Sequence, residues 1–233
     1  MSELPPEPDN LSAWLSQTLR TLCSRESLIL LGVVVLVLAH RQIGALPPPR
    51  FWPLPGGYWF FLTAVVTFLI IPVLAILIFL HGRFDEFGFR FGRAKEWFVA
   101  IVVLYVVVFP FLRYAADQPQ FRTFYPLFAP ARNGGLQLVN FETVYGLYFF
   151  SWEFLFRGFL LFGLARKWGG LAIPVQAVPF AMAHIGKPYP ELYASIIAGL
   201  ALGALALRTR SMLPCFLLHW ACAVTLDLLI VYT

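Results

Sequence analysis

Seven apolar runs dominate the chain, at 27–38, 58–80, 97–112, 144–164, 171–183, 192–207 and 212–231. Each contains or approaches the roughly 20 apolar residues that a helix needs to cross the hydrocarbon core of a bilayer. No water is present in lipid to pair with exposed backbone groups, so such runs must satisfy their N–H and C=O groups internally, as helices. The expected fold is therefore all-α, a polytopic membrane helical bundle of about seven transmembrane helices with an intramembrane polar chamber. Composition argues against a soluble domain. Of the 233 residues 60% are hydrophobic and only 12% charged, and the mean hydropathy is +0.76, which leaves too little charge to coat a water-exposed surface. The run at 171–183 is short and carries Pro174 and Pro179, so it is expected to be kinked or broken.

The flanks give the orientation. Glu3, Glu7 and Asp9 open the chain where a secretory leader would be basic, and no cleavable signal peptide is expected. Leu11, Trp14, Leu15, Leu19 and Leu22 recur at helical spacing, the pattern of an amphipathic helix lying on a membrane surface. A second stretch, 84–91, also reads as interfacial. Cys23, Cys215 and Cys222 lack CxxC spacing and read as small packing residues. With seven spans, Arg20, Arg25, Arg83, Arg90, Arg93, Lys95, Arg166, Lys167, Arg208 and Arg210 fall on one side, ten of the 17 basic residues. The positive-inside rule puts that side, and the N-terminus, in the cytoplasm of a cell (bacterial inner) membrane. The net charge of +5 thus reports loop bias, and no nucleic-acid partner is expected.

Ionisable groups inside lipid are costly and mark candidate sites. Glu153 and Arg157 are four apart in an apolar run, so they share a helix face and can pair. His184 closes the proline-containing run, and Glu191 follows in the first turn of the next helix, where the dipole favours a carboxylate. His219 lies in the last run with Asp227 eight residues on, about 800° of helix and so within roughly 80° of the same face. Each alone has a plain structural reading as interhelical glue or a packed polar residue. Their coincidence on successive helices concentrates chemistry in residues 141–233. The chain accordingly divides into a cytoplasmic amphipathic segment (1–26), scaffold spans and loops (27–140) and a catalytic helical core (141–233), all within one membrane domain.

Glu153-x-x-x-Arg157, then Phe180-x-x-x-His184, then His219 in a later span resemble the CAAX-protease and bacteriocin-processing family of intramembrane glutamic proteases. The Trp152-Glu153-Phe154 form with His184-x-x-Lys187-Pro188-x-x-Glu191 is similar to a myxosortase-like subgroup. The resemblance implies a polar chamber in which a glutamate and histidines activate water to cut peptide bonds. Its substrate would be a membrane-anchored protein or peptide, cut near a C-terminal anchor or sorting signal. Two positions depart from the family pattern. Trp152 stands where the first of paired glutamates is usual, and Ala223 where an asparagine is usual. Three readings stay open: Glu153 is the base alone, Glu191 and Asp227 substitute for the missing groups, or the chain binds without cutting. Catalytic candidates are Glu153, Arg157, His184, Glu191, His219 and Asp227. No cofactor is expected, with zinc on histidines and a carboxylate as the alternative. A proton-coupled transporter is the competing class, though no inverted repeat supports it. Gly199 and Gly203 are spaced for close helix approach, and the loop at 114–140 is expected to cover the outer mouth of the chamber.

Overall fold

The computed structural model describes residues 10–233; Glu3, Glu7 and Asp9 lie outside them. Among the described residues there are helices and turns and no strand. Six stretches are long and apolar enough to cross a membrane: Arg25–Ala45, Gly56–Ile78, Ala94–Ala116, Gly135–Met182, Tyr189–Thr209 and Leu213–Tyr232. The all-α, polytopic membrane bundle follows.

In chain order, α1 is Leu11–Leu22, α2 Arg25–Ala45, α3 Gly56–Ile78, α4 Ala94–Ala116 and α5 Pro119–Phe124. Then come α6 (Gly135–Glu153), continued by a π-helical segment Phe154–Phe162 and by α7 (Gly163–Trp168). Last are α8 (Ala172–Met182), α9 (Tyr189–Thr209) and α10 (Leu213–Tyr232).

The short proline-containing run of the sequence, 171–183, becomes α8, which has only 11 residues. That is about 16 Å of helix, roughly half a bilayer core. It runs antiparallel to the preceding rod, since Phe180 meets Arg157 while His184 meets Trp152. The chain then unwinds at Gly186, whose φ of 99° suits glycine and few other residues, and Pro190 lies in the first turn of α9. Six stretches rather than seven are long and apolar enough to cross a membrane, because α8 is too short to count alone and joins the preceding rod in Gly135–Met182.

Contacts far apart in sequence fix which ends lie together. Lys167 pairs with Glu26, Arg166 with Glu86 and Arg208 with Glu96, and Arg90 donates to the Arg210 carbonyl. These contacts gather the basic residues at one end. At the opposite end Arg41 donates to the Ile185 carbonyl and Tyr125 to Glu191.

The rod of α6, the π segment and α7 is the centre of the molecule, and every residue from 151 to 164 is buried. A helix apolar all round belongs in such an interior. A second π segment, Val65–Ile70 in α3, packs beside it, with Phe68 5.7 Å from Trp152 between ring centroids. Wide π turns are frequent at functional sites, and both flank the polar cluster described below.

α1 buries nothing and leaves Leu11, Trp14, Leu15, Leu19 and Leu22 exposed, the apolar stripe expected of a surface helix. The stretch 84–91 is less simple than an interfacial anchor. Phe84, Phe89 and Phe91 are exposed, but Phe87 is fully buried and stacks on Phe159.

Gly199 and Gly203 do serve close packing. A Cβ on Gly199 would lie 3.1 Å from the Cβ of Ala177, and one on Gly203 2.8 Å from Gln176 Nε2. Gln176 in turn donates to the Gly199 carbonyl at 2.7 Å. Gly199→Val therefore pushes α9 off α8, and overpacking of this kind costs about 1–3 kcal/mol. The expected result is a lower melting temperature in detergent; an unchanged melt would refute the contact.

Candidate active site

Glu153 ends α6 where the π segment begins, and Arg157 follows one turn later on the same side. Both side chains are 0% exposed. Arg157 Nε lies 3.3 Å from Glu153 Oε2, and its Nη1 donates to Oε1 at 3.4 Å. The guanidinium carbon sits 3.9 Å from the centre of the Phe180 ring, a cation–π contact strengthened by the burial of the guanidinium. Arg157 Nη2 is buried with no hydrogen-bond partner among the described residues. The resting site therefore holds an unspent donor.

His219 comes from α10 and closes the other side of the carboxylate, its Nδ1 2.6 Å from Glu153 Oε1. His184, from the turn after α8, has Nδ1 2.8 Å from the Phe180 carbonyl. A carbonyl only accepts, so that nitrogen carries the proton and Nε2 is the bare acceptor. The two imidazole rings are 6.3 Å apart between centroids and within 13° of parallel. Phe180 stands 4.7 Å from one and 6.0 Å from the other. Glu153, Arg157, His184 and His219, read from four separate sequence positions, thus form one cluster.

Glu191 and Asp227 do not join it. Glu191 accepts from Tyr125 Oη at 2.7 and 2.9 Å and from Lys187 Nζ at 2.7 Å. Burial first, and the Glu191 carboxylate with it, push the Tyr125 phenol well above its ordinary value, so it stays a proton donor to Glu191. Asp227 is fully buried, and the ionisable groups that act on it are Glu142, Lys187 and Arg132 rather than the histidines. Trp152, at the position where the first of paired glutamates is usual, turns its ring edge-on to His184 at 5.5 Å. An indole therefore faces His184 where a carboxylate would otherwise stand. Ala223 lies one turn past His219 and is half-buried.

Two buried polar residues escape a reading of the sequence by its apolar runs. Glu142, in α6, looks like a loop residue because it precedes the apolar run at 144–164. His40 lies in α2, in a half of the chain that reads as nearly free of ionisable groups; it is 2% exposed. The rule that singles out His184 and His219 points to it equally, since the apolar run at 27–38 continues helically past it. Nearby is a cavity of about 290 Å³ lined by His40, Arg41, Tyr148, Trp152, Ala183, Ile185, Gly186 and Lys187. Phe124 and Leu127, from the loop at 114–140, also line it.

The arrangement sets a carboxylate on His219 Nδ1 beside a second imidazole whose Nε2 is a bare acceptor. Among the described residues no group of three or more His, Cys, Asp or Glu side chains converges as a metal site.

Comparison with known families gives one result. Residues 134–225 match the family model described as Type II CAAX prenyl endopeptidase Rce1-like. The resemblance read from Glu153, Arg157, His184 and His219 to CAAX-type intramembrane peptidases is borne out over that segment, and all four residues lie within it. No curated protein and no solved structure matches the chain.

Proposed function

We propose that the chain is an intramembrane endopeptidase that cuts membrane-anchored proteins near a C-terminal anchor or sorting signal, using water activated by the Glu153–His219 pair. One observation carries this reading: a fully buried carboxylate holds His219 Nδ1 at 2.6 Å beside a second histidine, inside a segment that matches a peptidase family. A carboxylate at that distance fixes the imidazole with its proton on Nδ1 and leaves Nε2 free as a base. His184 is likewise held with its Nε2 bare. In this scheme a water donates one hydrogen to each Nε2, the rings being 6.3 Å apart between centroids, and keeps its lone pairs for a scissile carbonyl.

In the reaction, water oxygen attacks the carbonyl carbon and its proton passes to His219 Nε2. Glu153 stabilises the imidazolium that forms. The oxyanion needs donors already in place, and the unspent N–H of Arg157 is a candidate. Collapse of the tetrahedral intermediate breaks the C–N bond as His219 returns the proton to the leaving nitrogen. Glu191 has no step in this scheme, because Tyr125 and Lys187 already occupy it. Glu191→Gln is thus expected to change cutting by less than about tenfold, whereas loss of an acting base costs about 10²–10⁴-fold. A collapse of activity in that variant would transfer the base role to Glu191.

The positive-inside rule supports a cytoplasmic N-terminus, since the basic end of the bundle carries it. The opposite end, with His184 and its turn, then faces outward, which suits substrates whose anchors emerge on the non-cytoplasmic side. The test is a membrane cleavage assay with an anchored reporter, read by mass spectrometry of the products. A metal chelator added to it is expected to leave the rate unchanged; strong inhibition, reversed by zinc, would replace the carboxylate–imidazole scheme with a metal one.

A further inference from the structure

We propose that the cavity at the outer end is a substrate subsite in which His40 recognises a hydrogen-bond donor on one substrate side chain. The proposal rests on the peptidase reading and assigns that site a specificity determinant outside the matched segment. Thr63 donates its single hydroxyl proton to the Phe60 carbonyl at 2.7 Å, so its oxygen is left to accept from His40 Nδ1 at 3.2 Å. With the proton on Nδ1, Nε2 is a bare acceptor. That atom is buried and has no partner among the described residues. An unpaired buried acceptor is costly, and here it belongs to a side chain that lines a cavity of about 290 Å³, large enough for any side chain.

The surroundings restrict what can enter. Phe60 and Phe68 pack on the His40 ring at 4.5 and 4.6 Å, giving an apolar frame. Arg41 and Lys187 also border the cavity. Their charges repel a cation, while both are already engaged, by the Ile185 carbonyl and by Glu191. A neutral side chain carrying O–H or N–H satisfies all of these conditions. Trp152 lines the cavity and also stands edge-on to His184, so a side chain bound there is separated from the proposed attacking water by one indole. That places the residue read by His40 close to the cut bond. Specificity built on an acceptor that an apolar side chain leaves unpaired is stronger than specificity built on size alone.

The probes are synthetic membrane-spanning peptides with a leucine core and one guest residue, Ser, Asn, Ala or Val, moved along the flank that meets the outer end. Native protein is expected to cut Ser and Asn peptides about tenfold to a hundredfold faster than Ala and Val peptides at one guest position. In His40→Phe that ratio falls to about one. Thr63→Val, which removes the partner of Nδ1, is expected to weaken the ratio, and decides the matter if His40→Phe does not fold. A second readout needs no cutting. With ¹⁵N-histidine, of which the chain has four, the Nε2 resonance of His40 should move on adding Ser or Asn peptides and not with Ala or Val. Movement without cleavage would leave the subsite standing and sink the peptidase reading. Cleavage with no donor preference, a preference surviving His40→Phe, or a resonance that no peptide moves would overturn the subsite.

Discussion

Glu153→Gln is expected to lower the cutting rate by about 10³-fold or more, with folded protein still recovered from the membrane. The amide is nearly the size of the carboxylate, and its oxygen can still accept from His219 Nδ1, so packing is retained. What is lost is the negative charge that stabilises an imidazolium as His219 takes the proton from water. Replacing the carboxylate of an acid–imidazole pair by its amide costs about 10⁴-fold in the best-studied enzymes that use one. The burial of Glu153 makes the missing charge more damaging, because bulk solvent cannot reach it to compensate. His219→Ala should lose as much, and the double variant little more than either, since residues acting as one unit are not additive. Product measured by mass spectrometry, normalised to folded protein, decides it. Glu153→Gln cutting within about tenfold of native would remove Glu153 from the chemistry.

Much of this site is legible in the sequence for a physical reason. Lipid makes ionisable residues costly, so the few that are retained stand out against apolar runs, and Glu153, Arg157, His184 and His219 emerge on that ground. Spacing within one helix also carries through: Glu153 and Arg157 pair as i,i+4 neighbours. What spacing cannot supply is contact between helices. Glu191 and Asp227 lie at suitable depths, but which partners they meet depends on how α5, α6 and α10 pack. Tyr125 reaches Glu191 across 66 residues of sequence. The short α8 is half visible, as two prolines in a short run. The turn at Gly186 that follows it depends on a backbone angle that no hydropathy pattern encodes. His40 hides because the other ionisable residues cluster in the opposite half of the chain, although the cost of a buried polar group applies equally to both halves.

Arg157→Met should destabilise the fold more than Gly199→Val, Glu153→Gln or His219→Ala. Methionine fills a similar volume and preserves contact with Phe180, so the main loss is the positive charge beside Glu153. Removing one partner of a buried ion pair typically costs about 3–5 kcal/mol, because the carboxylate left behind is neither hydrated nor neutralised. Within reach of Glu153 only His219 remains as a possible cation among the described residues. Two outcomes are then open to the folded protein, and both end catalysis. If His219 becomes protonated to balance the charge, its Nε2 can no longer accept a proton from water. If Glu153 becomes protonated instead, nothing stabilises the imidazolium. The double variant Glu153→Leu with Arg157→Met separates stability from chemistry, since replacing a whole buried pair by apolar residues is often neutral or stabilising. Melting in detergent should therefore drop sharply for Arg157→Met and recover in the double variant, while neither protein cuts. A single variant that melts like the native chain would mean that Glu153 carries no charge in the resting protein, and the water-activation scheme would have to begin from a neutral acid.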